Sequence, residues 1–347
     1  MSTGDFTIDP DIRVARTLPA RVYSEPAIFR DQRERLFPRT WHYAAHDDVV
    51  KEPGQIHPIT LLDEPLLLTR DAAGVHAMSN VCTHRGTVVV ETPGRAQGLR
   101  CRYHGRKFGL DGRFVSMPEF EGAKNFPSPS DDLPRVALGA WKRFLMVSLA
   151  PAMTFDELAA PMRRIDSLPF ERLVFDGTRD FEVKANWALY VDNYLEGFHI
   201  PFVHAGLASA IDYGSYAVEL SRYSVLQTAQ SKPGETAFEG TTIAAYYYWL
   251  FPTTMFNVYP WGISVNVVTP LAVDRTRVTF LAFVWDASKR EKGAGAGLDR
   301  VEAEDEAIVE SVQRGVLSRL YERGRYSPSR ETGVHHFHRL LAEFMKT

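Results

Sequence analysis

The spacing of hydrophobic and polar positions changes character along the chain. Residues 27–37 carry apolar side chains at helical spacing and predict a short helix. Across 41–149 the pattern breaks into short β segments, for example 65–69, 75–78 and 144–148, split by Gly, Pro and Asp turns. That predicts a small all-β domain. Pro151 and the run Thr154-Phe155-Asp156-Glu157 mark its exit and a helix start. Further on, β-rich segments at 179–184, 244–250, 254–259, 263–270 and 276–285 predict one antiparallel sheet. Helices at about 187–199 and 300–320 then have to cover a face of that sheet. The expected fold class is α+β. An N-terminal segment 1–39 packs on the second domain, 40–150 is all-β, and 151–347 is the mixed domain.

Composition narrows the function. The chain has 347 residues, 45% hydrophobic and 24% charged, as in an ordinary globular protein of about two domains. Forty Lys+Arg against 43 Asp+Glu leave a net charge of −3, which speaks against nucleic acid as a partner. No stretch approaches the ~18 uninterrupted apolar residues of a membrane span. The best candidate, 243–256, is interrupted by Pro252 and rich in tyrosine. Residues 1–13 mix Asp, Thr and Pro without an apolar run, so no secretory leader and a cytoplasmic location are expected.

The two cysteines carry the first chemistry. One segment reads Cys82-Thr83-His84 and the other Cys101-Arg102-Tyr103-His104. A disulfide is not expected in such a chain. Two thiolates and two imidazoles can hold one tetrahedral zinc, or a Rieske [2Fe–2S] centre with cysteines on one iron and histidines on the other. Zinc fingers with this donor set place both cysteines in one knuckle and both histidines on one helix. Here each loop supplies one of each, so the loops face one another across a cluster, and the Rieske reading wins. Gly86 and Gly105 permit tight turns that bring backbone N–H groups near the sulfurs.

A second metal is expected further on. Residues 186–204 read NWALYVDNYLEGFHIPFVH. As a helix, this places Trp187, Val191, Leu195 and Phe198 on an apolar stripe, and Asp192, Glu196 and His199 together on another face. Pro201 is expected to break the helix, so that His199 at its end and His204 beyond it can meet at one ion. Two histidines need a carboxylate to complete a facial triad for iron(II). In the late helix Val301, Ile308, Val312 and Val316 form the expected buried face with Asp305 in its middle, while Glu302, Glu304, Glu306 and Glu310 lie off it. A lone aspartate on an apolar face is costly unless it is paired or bound to metal. Asp305 is therefore the expected third ligand, a buried Asp–Arg pair being the bland alternative.

These residues carry a resemblance. The Cys82/His84/Cys101/His104 pattern, followed by Gly109-Leu110-Asp111-Gly112, resembles the Rieske domain of the Rieske non-haem iron oxygenases. Asn193-Tyr194-x-Glu196-x-x-His199-x-x-x-x-His204 resembles the mononuclear-iron motif of that family. The resemblance spans about 41–341; it departs at Arg106, where the family usually has tryptophan. It implies a helix-grip sheet in the catalytic domain, Asp305 as third iron ligand, O₂ as co-substrate, and an alpha (terminal oxygenase) subunit, mono- or dioxygenase. It also implies a homotrimer in which a carboxylate bridges the iron site to a Rieske histidine of the neighbouring subunit. Glu196 or Asp192 can do so on helical geometry; the resemblance favours Glu196. The chain carries no flavin or nicotinamide fingerprint, so a separate NAD(P)H-dependent reductase or ferredoxin is expected to supply electrons.

For the substrate, Glu196 and the stretch Val312-Gln313-Arg314-Gly315 resemble the choline, betaine and carnitine monooxygenase branch, which implies hydroxylation or N-demethylation of a quaternary or tertiary amine. Aromatic-ring hydroxylation is the second reading, and an electron-transfer protein with an inactive second site is the third. The aromatics Tyr246 to Trp249, Phe251, Phe256, Tyr259 and Trp261 can line a pocket, although strand aromatics mostly fill cores. The Gly/Ala run 293–297 reads as a flexible loop. His335, His336 and His338 read as packing and hydrogen-bonding groups of the C-terminal helix.

Overall fold

A computed structural model describes residues 6–346 of the chain. The first five residues of the N-terminal segment, and Thr347, lie outside the described residues. The chain divides into two compact units, one of residues 38–152 and one of residues up to Phe37 with those from Met153 onward.

The 38–152 unit is built of short strands. Gln55–Leu61, Glu64–Arg70 and Val75–Ser79 form an antiparallel sheet edged by Gly94–Arg95. His42–His46, Phe144–Ser148 and Ala137–Trp141 form a second sheet. Alternation along Glu64–Arg70 sends Leu66 and Leu68 into a core with Ala77, Leu145 and Val147. It sends Leu67 the other way, into a core that contains Cys82, Cys101, Met78 and Phe108. A strand buried on both faces thus backs the cysteines with apolar packing. Leu99–Arg100, Lys107–Phe108 and Phe114–Ser116 form a third small sheet under the second cysteine loop.

The other unit is an α+β, helix-grip arrangement around a seven-stranded antiparallel sheet. Across it lie Val174–Val183, Arg275–Val284, Gly262–Ala272, Thr254–Tyr259, Ile243–Leu250, Ser224–Ser231 and Ile211–Ser221. The first strand in sequence pairs with the last. Ile211–Ser221 and Ser224–Ser231 escape the sequence pattern, the former because it is an edge strand with mostly exposed polar positions around Gly214. The helices Trp187–Tyr194 and Leu298–Val316 lie beside each other. The N-terminal helix, Pro26–Arg35, joins this unit through Gln32, whose Oε1 accepts from Trp187 Nε1 at 2.9 Å.

Four expectations are corrected. The helix expected at 187–199 ends at Tyr194, and the chain turns irregularly through Glu196–Gly197 before a new short helix, Ile200–Val203. Pro201 does not break a helix. It sits in the first turn of the new one, where a missing N–H costs no hydrogen bond. The late helix buries Glu302, Val309, Gln313 and Val316, whereas Ile308 and Val312 are 41% and 43% exposed. The stripe is rotated because its buried face is partly polar: Gln313 Oε1 accepts from the Asn186 amide at 2.9 Å and Glu302 from Tyr190. Finally, 293–297 is no free loop. Ala294 packs in a core cluster with Tyr259 and Trp261, and a Cβ on Gly295 would lie 2.2 Å from Trp261 Nε1.

Candidate metal centres

The two cysteine loops of the 38–152 unit repeat one hydrogen-bond pattern. Cys82 N–H donates to Thr87 O at 2.8 Å, and Gly86 N–H returns to Cys82 O at 2.9 Å. Cys101 N–H donates to Arg106 O at 2.8 Å, and Gly105 N–H returns to Cys101 O at 3.0 Å. Gly86 and Gly105 have φ of +73° and +75°, a left-handed conformation that favours glycine. Each loop aims amide N–H groups back at its own sulfur, His84 and Arg85 at Cys82, Tyr103 and His104 at Cys101. Both cysteines are buried and unpaired by disulfide. The His84 and His104 rings lie 4.8 Å apart on the outer side, His104 exposed. Two inner thiols and two outer imidazoles, one of each per loop, fit a [2Fe–2S] group whose irons differ in ligand type.

Behind these loops lies a feature that motif reading missed. Arg106 is 2% exposed, with its guanidinium 4.9 Å from the Phe114 ring centroid. It pairs with Asp131 Oδ1 at 2.7 Å and donates to Asp131 O at 3.0 Å. Thr83 Oγ1 donates to that same carbonyl at 2.8 Å. Asp131 therefore ties together both loops, through Thr83 on the first and Arg106 on the second. Nothing in its local sequence marks it, since the link spans 48 and 25 positions.

In the larger unit, His199, His204 and Asp305 each present a ligand atom within 4.8 Å of the others. The Nε2 atoms of the two histidines face one another at 3.2 Å, and Asp305 Oδ1 lies 3.0 Å from His204 Nε2 and 3.5 Å from His199 Nε2. The far nitrogens are claimed by carboxylates: His199 Nδ1 lies 2.6 Å from Glu196 Oε1 and His204 Nδ1 lies 2.8 Å from Glu304 Oε2. A neutral imidazole that donates from Nδ1 has a bare lone pair on Nε2. Two such lone pairs and a carboxylate converging on one point, among three acidic groups, fit a divalent cation. Burial opposes a charge on His204, but Asp305 and Glu304 outweigh it and raise its pKa above the ordinary value, which reports the same excess of negative charge.

Local folding explains the placement. Gly197 lies where the Tyr216 ring approaches so closely that a Cβ would meet it at 2.8 Å. Glu196 folds back over this turn and also accepts from the His199 amide at 3.0 Å. Asn193 Nδ2, in the last turn of the preceding helix, donates to Asp305 Oδ1 at 2.6 Å and orients it. Asp192 is not brought here. With the helix ending at Tyr194, it shares no helical face with Glu196 and His199; it accepts from Tyr23 Oη at 2.8 Å and lies 2.7 Å from His338 Nε2. His335 lies 2.8 Å from the Asp9 carbonyl, so His335 and His338 make hydrogen bonds within the fold.

A cavity opens above the triad. It is lined by His199, His204 and Asp305, by the rings of Tyr216, Tyr247, Tyr259 and Phe280, and by Gln227, Asn257, Asn266 and Glu302. Of the aromatics singled out between Tyr246 and Trp261, Tyr247 and Tyr259 line it, whereas Tyr248, Trp249, Phe251 and Phe256 are core. Glu302 is 4% exposed, and burial, reinforced by Asp305 and Glu306, pushes its carboxyl up to about 8 against the pull of Tyr190. Among the described residues, no helix is long and apolar enough to cross a membrane.

Comparison with known proteins agrees in both units. Residues 40–127 match the family described as Rieske [2Fe-2S] domain, and residues 170–347 match the ring hydroxylating alpha subunit (catalytic domain). The chain is 30% identical to a chloroplastic choline monooxygenase of Arabidopsis thaliana, over 97% of this chain and 85% of that one. It is also 30% identical to the carnitine monooxygenase oxygenase subunit of Escherichia coli (strain K12), over 96% and 94%. The fold matches a quaternary ammonium Rieske monooxygenase in complex with L-carnitine (TM-score 0.80, 24% identity, 96% of this chain and 97% of that one). It also matches naphthalene 1,2-dioxygenase from Rhodococcus sp. bound to indole (TM-score 0.76, 18% identity, 95% and 94%). The chain therefore belongs to the Rieske non-haem iron oxygenases, as an alpha subunit with a [2Fe–2S] domain and a mononuclear-iron catalytic domain.

Proposed function

We propose that this protein oxygenates a small quaternary or tertiary amine, by hydroxylation or N-demethylation, with 40–150 as cluster domain and 151–347, together with 1–39, as catalytic domain. The observation that carries the reading is the cavity above the His199–His204–Asp305 triad, walled by tyrosine and phenylalanine rings and by carboxylates. Aromatic faces attract a quaternary ammonium by roughly 0.5–2 kcal/mol per contact. The choline and carnitine monooxygenases among its relatives support the same substrate class.

In this reading Cys82, His84, Cys101 and His104 hold the cluster, and His199, His204 and Asp305 hold the iron. When bound, these groups would supply single-electron transfer and activation of O₂; one oxygen atom enters a substrate C–H bond and the other leaves as water, with two electrons from a separate NAD(P)H-dependent reductase or a ferredoxin and two protons from solvent. The protein's own side chains do the rest. Glu196 and Glu304 fix the Nδ1–H tautomers of the two histidines. Asn193 holds Asp305 in place. The aromatic walls exclude water from the reacting carbon.

The reading includes a cytoplasmic homotrimer in which Glu196 links His199 to a Rieske histidine of the next subunit. Exposed apolar groups beside both sites support it: the Tyr103 ring packs against exposed His104, and Phe198 and Phe202, 42% and 81% exposed, flank His199. A head-to-tail contact of this kind closes into a ring. Aromatic-ring hydroxylation is the second reading, favoured by the flat tyrosine and Phe280 walls. The deciding experiment incubates the iron-loaded protein, a surrogate reductase and O₂ with panels of amines and aromatic hydrocarbons, and reads products by mass spectrometry. An aldehyde or hydroxylated amine is expected; ring diols alone would overturn the proposal.

A further inference from the structure

We infer that Glu302 becomes the counter-ion of a cationic substrate in this pocket, and that the pocket selects ammonium substrates lacking a carboxylate. The inference rests on the amine-oxygenase reading above and goes beyond it in naming the selecting residue and the subclass selected.

Glu302 lies one helical turn before Asp305 and lines the cavity beside Ser264 and Phe280. Its Oε2 accepts from Tyr190 Oη at 2.8 Å. Its Oε1 is buried and has no hydrogen-bond partner. An unpartnered carboxylate oxygen inside a protein is costly unless something positive meets it. A trimethylammonium group held in the cavity suits this carboxylate without touching its buried oxygen: it carries charge, donates no hydrogen bond, and is attracted by Coulomb force across a short distance and by the faces of the neighbouring rings. A cation beside Glu302 also favours its ionised form.

The same wall disfavours an acidic tail. Among the described residues, no Lys or Arg side chain lines this cavity. The arginines of the adjoining cavity, Arg179 and Arg290, are held by Asp299 and Asp176. Arg300, on the site helix, pairs with Glu304. Away from the iron, a substrate carboxylate would meet Glu302 and neutral amides and no Lys or Arg side chain among the described residues. A hydroxyl tail, by contrast, finds partners in Gln227, Asn257 and Asn266. The selected class is the quaternary amino alcohol rather than the betaine.

The test measures equilibrium binding to the iron-loaded holoenzyme by calorimetry. The probes are choline, its uncharged carbon isostere 3,3-dimethylbutan-1-ol, and L-carnitine. Wild type is expected to bind choline at least about tenfold more tightly than either other probe. Glu302→Gln should erase the preference for choline over the isostere while iron content and cluster spectrum stay native. Glu302→Asp, which keeps the charge, should retain that preference, and it serves as the control if the Gln variant binds less iron. Retention of the full charge preference in Glu302→Gln overturns the inference and leaves the amine reading standing, as does tighter binding of carnitine than of choline by wild type. Wild type that binds no ammonium probe overturns both.

Discussion

Cluster residues and candidate iron residues are assembled in opposite ways. In the 38–152 unit, sulfur, imidazole and glycine occur within each short loop, and the two loops repeat one hydrogen-bond pattern. In the larger unit, the triad joins an irregular turn, the end of a short helix and a long helix 101 positions further on. The first site is nearly complete within its own loops and needs the rest of the fold chiefly to keep the loops opposed. The second exists only after the helices have packed. Its ligand orientation comes from carboxylates and an amide, Glu196, Glu304 and Asn193, none of which a ligand motif requires. A site of local loops should respond to substitution in an all-or-none way. A site assembled by tertiary packing should show graded responses in its supporting residues.

The largest effect is expected from the loops. Replacing Cys82 or replacing His104 by Ala should abolish the Rieske electron paramagnetic resonance signal and all turnover, with the catalytic unit still folded. A His104→Ala protein with the native spectrum would mean that these loops do not hold the cluster. Asp305→Ala, or loss of His199 or His204, should leave the cluster signal intact while iron falls by one per chain and turnover disappears. Full iron content and activity in Asp305→Ala would shift the third ligand to another carboxylate, Glu302 first.

Supporting residues separate the sites further. Glu196→Ala should keep all iron and the proposed trimer but slow oxidation of the pre-reduced cluster in a single turnover by about a hundredfold or more, since an orienting partner of a metal ligand is typically worth 10–100-fold by itself. Native oxidation kinetics, or an active monomer, would contradict the link between subunits. Glu304→Gln should weaken iron binding by about 10–100-fold in a chelator competition without touching the cluster spectrum. An equal loss of cluster would mean that the sites are not independent. Arg106→Met is the mildest: it strands Asp131 and releases the brace between the loops, and about 1–3 kcal/mol of stability should be lost. Urea unfolding followed by cluster absorbance reads this directly, and an unchanged midpoint would reduce the Arg106–Asp131 pair to simple space filling.

The amino-acid sequence by itself determined the local features. Two cysteine–histidine loops closed by glycines are legible because turn geometry and ligand type are encoded within a few residues. The alternation of the central strands is legible because they are buried on one or both faces. His199, His204 and Asp305 can be picked out as candidates by residue type and spacing, yet the helical reasons for them do not hold in the fold. The helix before His199 ends at Tyr194, Asp192 turns to Tyr23 and His338, and the late helix buries Glu302 and Gln313 while leaving Ile308 and Val312 exposed. Hydrophobic periodicity can locate only a buried face that is apolar, and half of this one is polar, Glu302 and Gln313 being satisfied by Tyr190 and the Asn186 amide. Tertiary structure alone decided the Glu196 and Glu304 contacts, the Asp131 brace and the unpartnered oxygen of Glu302. Each depends on which distant groups share one desolvated space, a property of packing that no local stretch of sequence contains.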